Sequence, residues 1–286
     1  MKTLRTLLSW SGAALVLVPI ALVLVIGPCF FRRERWDPLF KTLCRALVRA
    51  FGYQVRVSGT DTLLHPGTSG APAVPGFVIV CNHVNLVDAF LLYGYLPGSF
   101  RGLEQLQHFS WPVYGALIRR FGNIALDQSG GGRTASALMA AGDALRSGTS
   151  LLILPEGHRT RTGRFGPFMR GAFRLAGKTN AVLVPVVQRG GWEVFHKGAR
   201  HVSPGPVDLI VLPPWTAERR SGLDDTAFCH RVRQEMEAVF NQGRITSQAS
   251  ASVWPVPADC PAAPAGCRTS PDVLSSTENT KEAPCA

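Results

Sequence analysis

The chain has 286 residues, 46% of them hydrophobic, enough for one sizeable core with appendages. A formal charge of +11 points to an anionic counterpart: a phosphorylated substrate, an acidic membrane surface or nucleic acid. Nucleic acid is set aside, because aromatic residues do not interleave with the basic ones and no zinc-finger or RNA-binding signature occurs.

Residues 7–27 form an uncharged run of Leu, Val, Ala and Ile about as long as a hydrocarbon core is thick. The run is long for a cleaved signal peptide and lacks an A-x-A site, so it reads as a retained anchor. Arg32, Arg33 and Arg35 after it slightly outnumber Lys2 and Arg5 before it, which puts the rest of the chain on the cytoplasmic face. Residues 38–51 follow as an amphipathic helix, with Leu39, Leu43, Leu47 and Phe51 on one face and Lys41, Arg45 and Arg49 on another. Such a helix suits either anionic lipid or a protein core with its basic face in solvent.

Strand-like runs occur at 53–58, 76–81, 122–126, 149–154, 181–187 and 207–212, with a Gly/Pro/Ala/Ser loop at 65–75. Helical segments at 133–146 and 167–178 fit between several of them. A closing helix over 223–242 has Asp224 as its cap and Phe228, Val232, Met236, Val239 and Phe240 as its buried face. Strands alternating with helices predict an α/β domain, a largely parallel sheet flanked by helices behind an N-terminal membrane-anchoring helix. From residue 244 the chain turns to Pro, Ala, Ser and Thr, a composition that cannot offset its own chain entropy and is expected to be disordered. The expected divisions are therefore an anchor over 1–36, an α/β domain over 37–243 and a tail over 244–286. Seven cysteines without C-x-x-C spacing favour free thiols over a disulfide framework, and the scattered histidines support no metal site.

Two of the strand-like runs lead into polar clusters. Cys81-Asn82-His83-Val84-Asn85-Leu86-Val87-Asp88 contains N-H-x4-D, and Pro155-Glu156-Gly157-His158-Arg159-Thr160-Arg161 follows the run ending at Leu154. Ligands of open α/β sheets bind at such strand ends. On one regular helix His83 and Asp88, five positions apart, would face different ways. The pair makes sense with His83 in a turn and Asp88 opening the next helix. There the carboxylate can hold one ring nitrogen and leave the other as a general base. No serine nucleophile stands beside it, and Cys81 at a strand end reads as a small buried residue. His83 would then take the proton of a ligand hydroxyl directly. Gly157 permits close approach of a ligand, and Arg159 offers a planar fork for phosphate or carboxylate, with Arg161 nearby. The structural alternative for Glu156 is a salt bridge to an arginine.

Four blocks in this order resemble the glycerolipid acyltransferase family, whose lysophosphatidic acid acyltransferases carry a similar set. They are Asn82-His83-x4-Asp88, Gly122-Asn123-Ile124-Ala125-Leu126-Asp127-Gln128 (similar to G-x-I-x-x-D-R), Pro155-Glu156-Gly157-His158-Arg159 (similar to P-E-G-T-R) and Val184-Pro185-Val186-Val187. The resemblance covers roughly residues 40–240. It implies a membrane-associated O-acyltransferase with His83 and Asp88 catalytic, no cofactor and no metal. The donor implied is acyl-CoA or acyl carrier protein, and the acceptor a lysolipid bound near Asn82, Asp127, Gln128, Glu156, Gly157, His158, Arg159 and Arg161. The family default is lysophosphatidic acid giving phosphatidic acid. Gln128 stands where phosphate-handling members carry arginine, and His158 where they carry threonine, so a lysolipid with another head group, such as an aminolipid or glycolipid precursor, is the second expectation. A non-catalytic lipid-binding protein of the same fold is the third.

Overall fold

The computed structural model of the chain describes residues 2–31, 33–64, 76–112, 114–127 and 132–242. The expected tail, the 65–75 loop and Gln128 lie outside them.

β2 (Val78–Cys81) is buried along its whole length, which explains its unbroken apolar run. Val78 and Val80 pack into one layer and Ile79 and Cys81 into the other, as the period of two requires. Its parallel neighbours are β5 (Ser150–Ile153) and β6 (Leu183–Arg189). Beyond β5 lie β3 (Phe100–Gln105) and β4 (Ile124–Leu126), also parallel. Beyond β6, β7 (Gly205–Val211) runs antiparallel, and β1 (Tyr53–Ser58) pairs with β7 in parallel. The described sheet is seven-stranded, in the order β1-β7-β6-β2-β5-β3-β4, so the expected α/β class with a largely parallel sheet is what the chain forms.

Helices cover both faces. α6 (Gly132–Arg146), α7 (Gly171–Thr179) and α9 (Asp225–Asn241) bury Leu145, Phe173, Phe228 and Met236 on one side. Asp224 caps α9 by accepting the Ala227 N–H at 2.7 Å. The short helices α3 (Asp61–Leu64) and α8 (Gly191–Val194) sit in connections. On the other side lie α1 (Lys2–Phe30), α2 (Arg33–Ala50), α4 (Asp88–Tyr95) and α5 (Tyr114–Phe121).

α2 is core-facing, not free for lipid. It begins earlier than the sequence pattern indicates, and the expected domain boundary after residue 36 falls inside it. Its buried stripe is Trp36, Phe40, Cys44, Leu47 and Val48, continued by Phe51 just past its end, while Leu39 is 52% exposed. The large rings decide this shift: Trp36 and Phe40 pack with Phe121, and Phe40 with Tyr93. Two of its basic residues are also engaged. Lys41 Nζ donates to the Leu96 carbonyl at 2.9 Å and Arg45 Nε to the Gly94 carbonyl at 2.6 Å, satisfying the C-terminal end of α4.

α1 runs continuously through Pro19, and its segment Thr3–Leu24, with mean hydropathy 2.3, is long and apolar enough to cross a membrane. It is docked on one side only. Ala13, Ile20 and Leu24 are buried, Trp10 meets Phe51 and Phe195 edge-on, and Gly27 lies so close to Trp36 that a Cβ would stand 2.9 Å from the indole. Leu4, Leu7, Leu8, Leu15, Val18 and Leu22 are exposed on its other face.

Candidate active site

The site is built from the loops that leave β2 and β5. Asn82 ends β2 by substituting its carboxamide for a backbone unit: Oδ1 accepts the Gln188 N–H at 2.8 Å and Nδ2 donates to the Gln188 carbonyl at 3.0 Å. The chain then turns through His83, Val84 and Asn85. Asp88 opens α4 and, fully buried, reaches back into this turn. Its Oδ2 accepts from Val84 N at 2.6 Å and Asn85 N at 2.9 Å and lies 2.8 Å from His83 Nδ1. A carboxylate there favours the tautomer protonated on Nδ1 and leaves Nε2 as a lone pair. Nε2 has no hydrogen bond among the described residues, and the His83 side chain is 21% exposed, so the base is open to a ligand.

The β5 loop fixes His83 from the other side. Glu156 is 2% exposed and makes no salt bridge to a described residue: Oε1 accepts from His83 N at 2.8 Å and Oε2 from Gly166 N at 2.7 Å. Burial pushes its carboxyl up from the ordinary 4.5, partly countered by these two N–H donors. Thr160 N donates to the His83 carbonyl at 2.8 Å, so both backbone groups of His83 are held by this loop. Gly157 turns with φ +68°, and its carbonyl accepts from Gln105 Nε2 at 2.9 Å.

Of the residues expected at the substrate, Asn82 and Glu156 are thus committed to the scaffold, with every side-chain oxygen and the Asn82 amide already bonded to backbone. His158 and Arg161 are exposed and Arg159 is half-buried on the same loop, and none of the three side chains bonds to a described residue. Asp127 is half-buried after β4, where its carbonyl accepts from the Thr134 hydroxyl. Cys81 is buried and free, and burial raises its thiol well above the usual range, so it supplies no thiolate. Among the described residues no three His, Cys, Asp or Glu side chains converge as a metal site.

Sequence reasoning passed over Asn85 and Tyr53. Asn85 Oδ1 accepts the Val87 N–H at 2.8 Å, while Nδ2 donates to the Phe195 carbonyl at 2.8 Å and to the Tyr53 hydroxyl. The first bond is an Asx turn, and an asparagine two residues before a helix entry was the signal for it.

The Acyltransferase family model matches residues 54–189. The 1-acyl-sn-glycerol-3-phosphate acyltransferase of Limnanthes douglasii is 30% identical over 157 residues, covering 52% of this chain and 54% of that protein. The human 1-acyl-sn-glycerol-3-phosphate acyltransferase alpha is 28% identical over 223 residues, covering 77% and 76%. The chain spans about half the length of plant relatives such as the Limnanthes douglasii and Arabidopsis thaliana proteins, 54% and 53%. The crystal structure of the 1-acyl-sn-glycerophosphate acyltransferase PlsC from Thermotoga maritima shares the fold, with TM-score 0.67 at 21% identity over 84% of this chain and 96% of that one. The matched segment holds the His83–Asp88 turn and the Glu156 loop together, and over it the chain is similar to the Acyltransferase family.

Proposed function

We propose that the chain is a membrane-associated O-acyltransferase. It moves a fatty acyl group from an acyl-CoA or acyl-carrier-protein thioester to the free hydroxyl of 1-acylglycerol-3-phosphate, giving phosphatidic acid. The observation that carries this reading is the His83 ring with Nδ1 on a buried carboxylate and Nε2 open. Nε2 takes the proton of the acceptor hydroxyl as its oxygen attacks the thioester carbonyl carbon. When the tetrahedral adduct collapses, the C–S bond breaks and the imidazolium returns the proton to the leaving thiolate. Asp88 holds the tautomer and stabilises the transient cation. Glu156, Thr160 and Asn85 keep the turn rigid, so the base is placed before the substrates arrive.

Arg159 and Arg161, uncommitted within the fold, suit the acceptor's phosphate. His158 adjoins them in the sequence, and Asp127 follows β4 at the C-terminal end of a strand parallel to β5's neighbour β3. The activity named for the plant and human relatives supports this acceptor. Gln128 in place of an arginine favours a second reading, a lysolipid with a different head group. The bare apolar face of α1 supports membrane attachment through this one helix, with the catalytic domain on the cytoplasmic side. The anionic bilayer surface complements the chain's net positive charge.

The test is thiol release from a long-chain acyl-CoA by detergent-purified protein with a panel of lysolipids, products identified by mass. Acceptor-dependent release falling by about 10²–10⁴ in His83→Ala is expected. Equal rates for both proteins would sink the mechanism. Transfer only to non-phosphate acceptors would move the assignment to the second reading.

A further inference from the structure

β2, which carries His83, has two neighbours. β5 leads into Arg159 and Arg161, while β6 ends in Gln188 and Arg189. Gln188 is 0% exposed, and neither its side-chain nitrogen nor its oxygen has a hydrogen-bond partner among the described residues. Its backbone alone is held, by Asn82. A carboxamide both dehydrated and unpaired is rare in folded proteins, because the lost bonds to water are not replaced. Glycine at position 191 leaves it room: a Cβ there would stand 2.2 Å from Nε2. Beside it opens a cleft of about 200 Å³ walled by Val84, Gly163, Gln188, Gly191, Trp192 and Phe240. Val84 directly follows His83, so the cleft adjoins the turn that carries His83.

Charge decides what kind of ligand fits. Arg189 is the cleft's one cationic lining residue, and its guanidinium is engaged by Asp208 Oδ2 and the Val239 carbonyl, both at 3.3 Å. Glu193 stands exposed among the lining residues. Such a wall offers a phosphate nothing. Turned from its covered position against Gly191 toward the cleft, the Gln188 carboxamide offers one donor group and one acceptor, the complement of a secondary amide, whose C=O and N–H can take both bonds.

We infer that this cleft takes the pantetheine arm of the acyl donor, with Gln188 pairing to one of its amides. The inference rests on the acyl-transfer reading and adds a direction to it: the acceptor head group lies on the β5 side of His83, the donor thiol arm on the β6 side. CoA and acyl carrier protein share this arm, so the cleft serves either.

The experiment is calorimetric binding to the full chain in detergent, wild type against Gln188→Leu. The probes are three unreactive thioethers of one alkyl chain, on CoA, on carrier-protein phosphopantetheine and on 2-mercaptoethanol, which lacks the amides. Leucine replaces an unpaired buried amide by an apolar group of similar size, so the variant is expected to melt no lower than wild type. It should bind the CoA or carrier-protein probe about tenfold more weakly and the amide-free probe equally well. Whichever pantetheine probe wild type holds identifies the source. Equal affinity of both proteins for that probe overturns the assignment, as does weakening confined to the lysolipid acceptor. If wild type still transfers acyl groups in either case, the cleft assignment alone has failed. If wild type binds neither pantetheine probe and transfers nothing, the acyl-transfer reading has failed with it.

Discussion

At the scale of single residues, the site depends on carboxylates that differ in what they touch. Asp88 faces an imidazole and two N–H groups, whereas Glu156 faces N–H groups alone. The raised Glu156 carboxyl makes the folded state hold its proton more tightly than the unfolded chain does. Its stabilising contribution is therefore complete below the ordinary value of 4.5 and is lost as pH rises through the raised folded value. Glu156→Gln removes this dependence, so thermal melts across that window should show wild type losing ground relative to the variant as pH increases. A constant difference would show that Glu156 does not titrate there. Cys44 and Cys81 make a second residue-scale case. Burial pushes the Cys44 thiol up to about 12 and the Cys81 thiol well above its normal range. Iodoacetamide at pH ~8 should leave both unmodified in the native protein and alkylate both in denaturant, as read by peptide mass.

At the scale of elements, Asn82 shows how a strand can hand its ladder to a side chain. Asn82→Ala strips the Gln188 N–H and carbonyl of their partners in a buried stretch, so a loss of about 1–3 kcal/mol is expected, read by denaturant unfolding. A loss under ~0.5 kcal/mol would mean that water replaces the carboxamide. The sequence made the buried elements legible and the half-buried ones obscure. β2, β5 and β6 are buried along their length and mostly apolar, because both faces are covered. β3 reads Phe-Arg-Gly-Leu-Glu-Gln, with only Phe100 buried, and neither periodicity nor composition betrays it. The α2 stripe was displaced for a related reason: leucine spacing suggested one face, while two aromatic rings had a larger surface to bury on another.

At the scale of the whole molecule, α1 joins two environments. Its inner face is part of the core, where it covers Trp36 and Phe51, and its outer face is a row of bare leucines. Full-length protein should therefore sediment with membranes and resist high salt while yielding to detergent. A chain starting at residue 32 would expose Trp36, Phe51 and Phe195, and should need detergent to stay dispersed, checked by size-exclusion chromatography. A truncated form that is monomeric in plain buffer would show that α1 contributes nothing to the core.

The sequence by itself determined the α/β class, the apolar N-terminal helix and the pairing of His83 with Asp88. Each is local: a run of apolar residues or a spacing of five positions carries its own physical consequence. The tertiary structure alone decided that Glu156 clamps the backbone of His83 across 73 residues, that Asn82 pairs with the Gln188 main chain across 106, and that the Gln188 side chain finds no partner among the described residues. Those contacts run from a side chain to a distant main chain, or to no partner at all. Every residue has the same backbone groups, so no pattern in the sequence marks which of them a side chain will find.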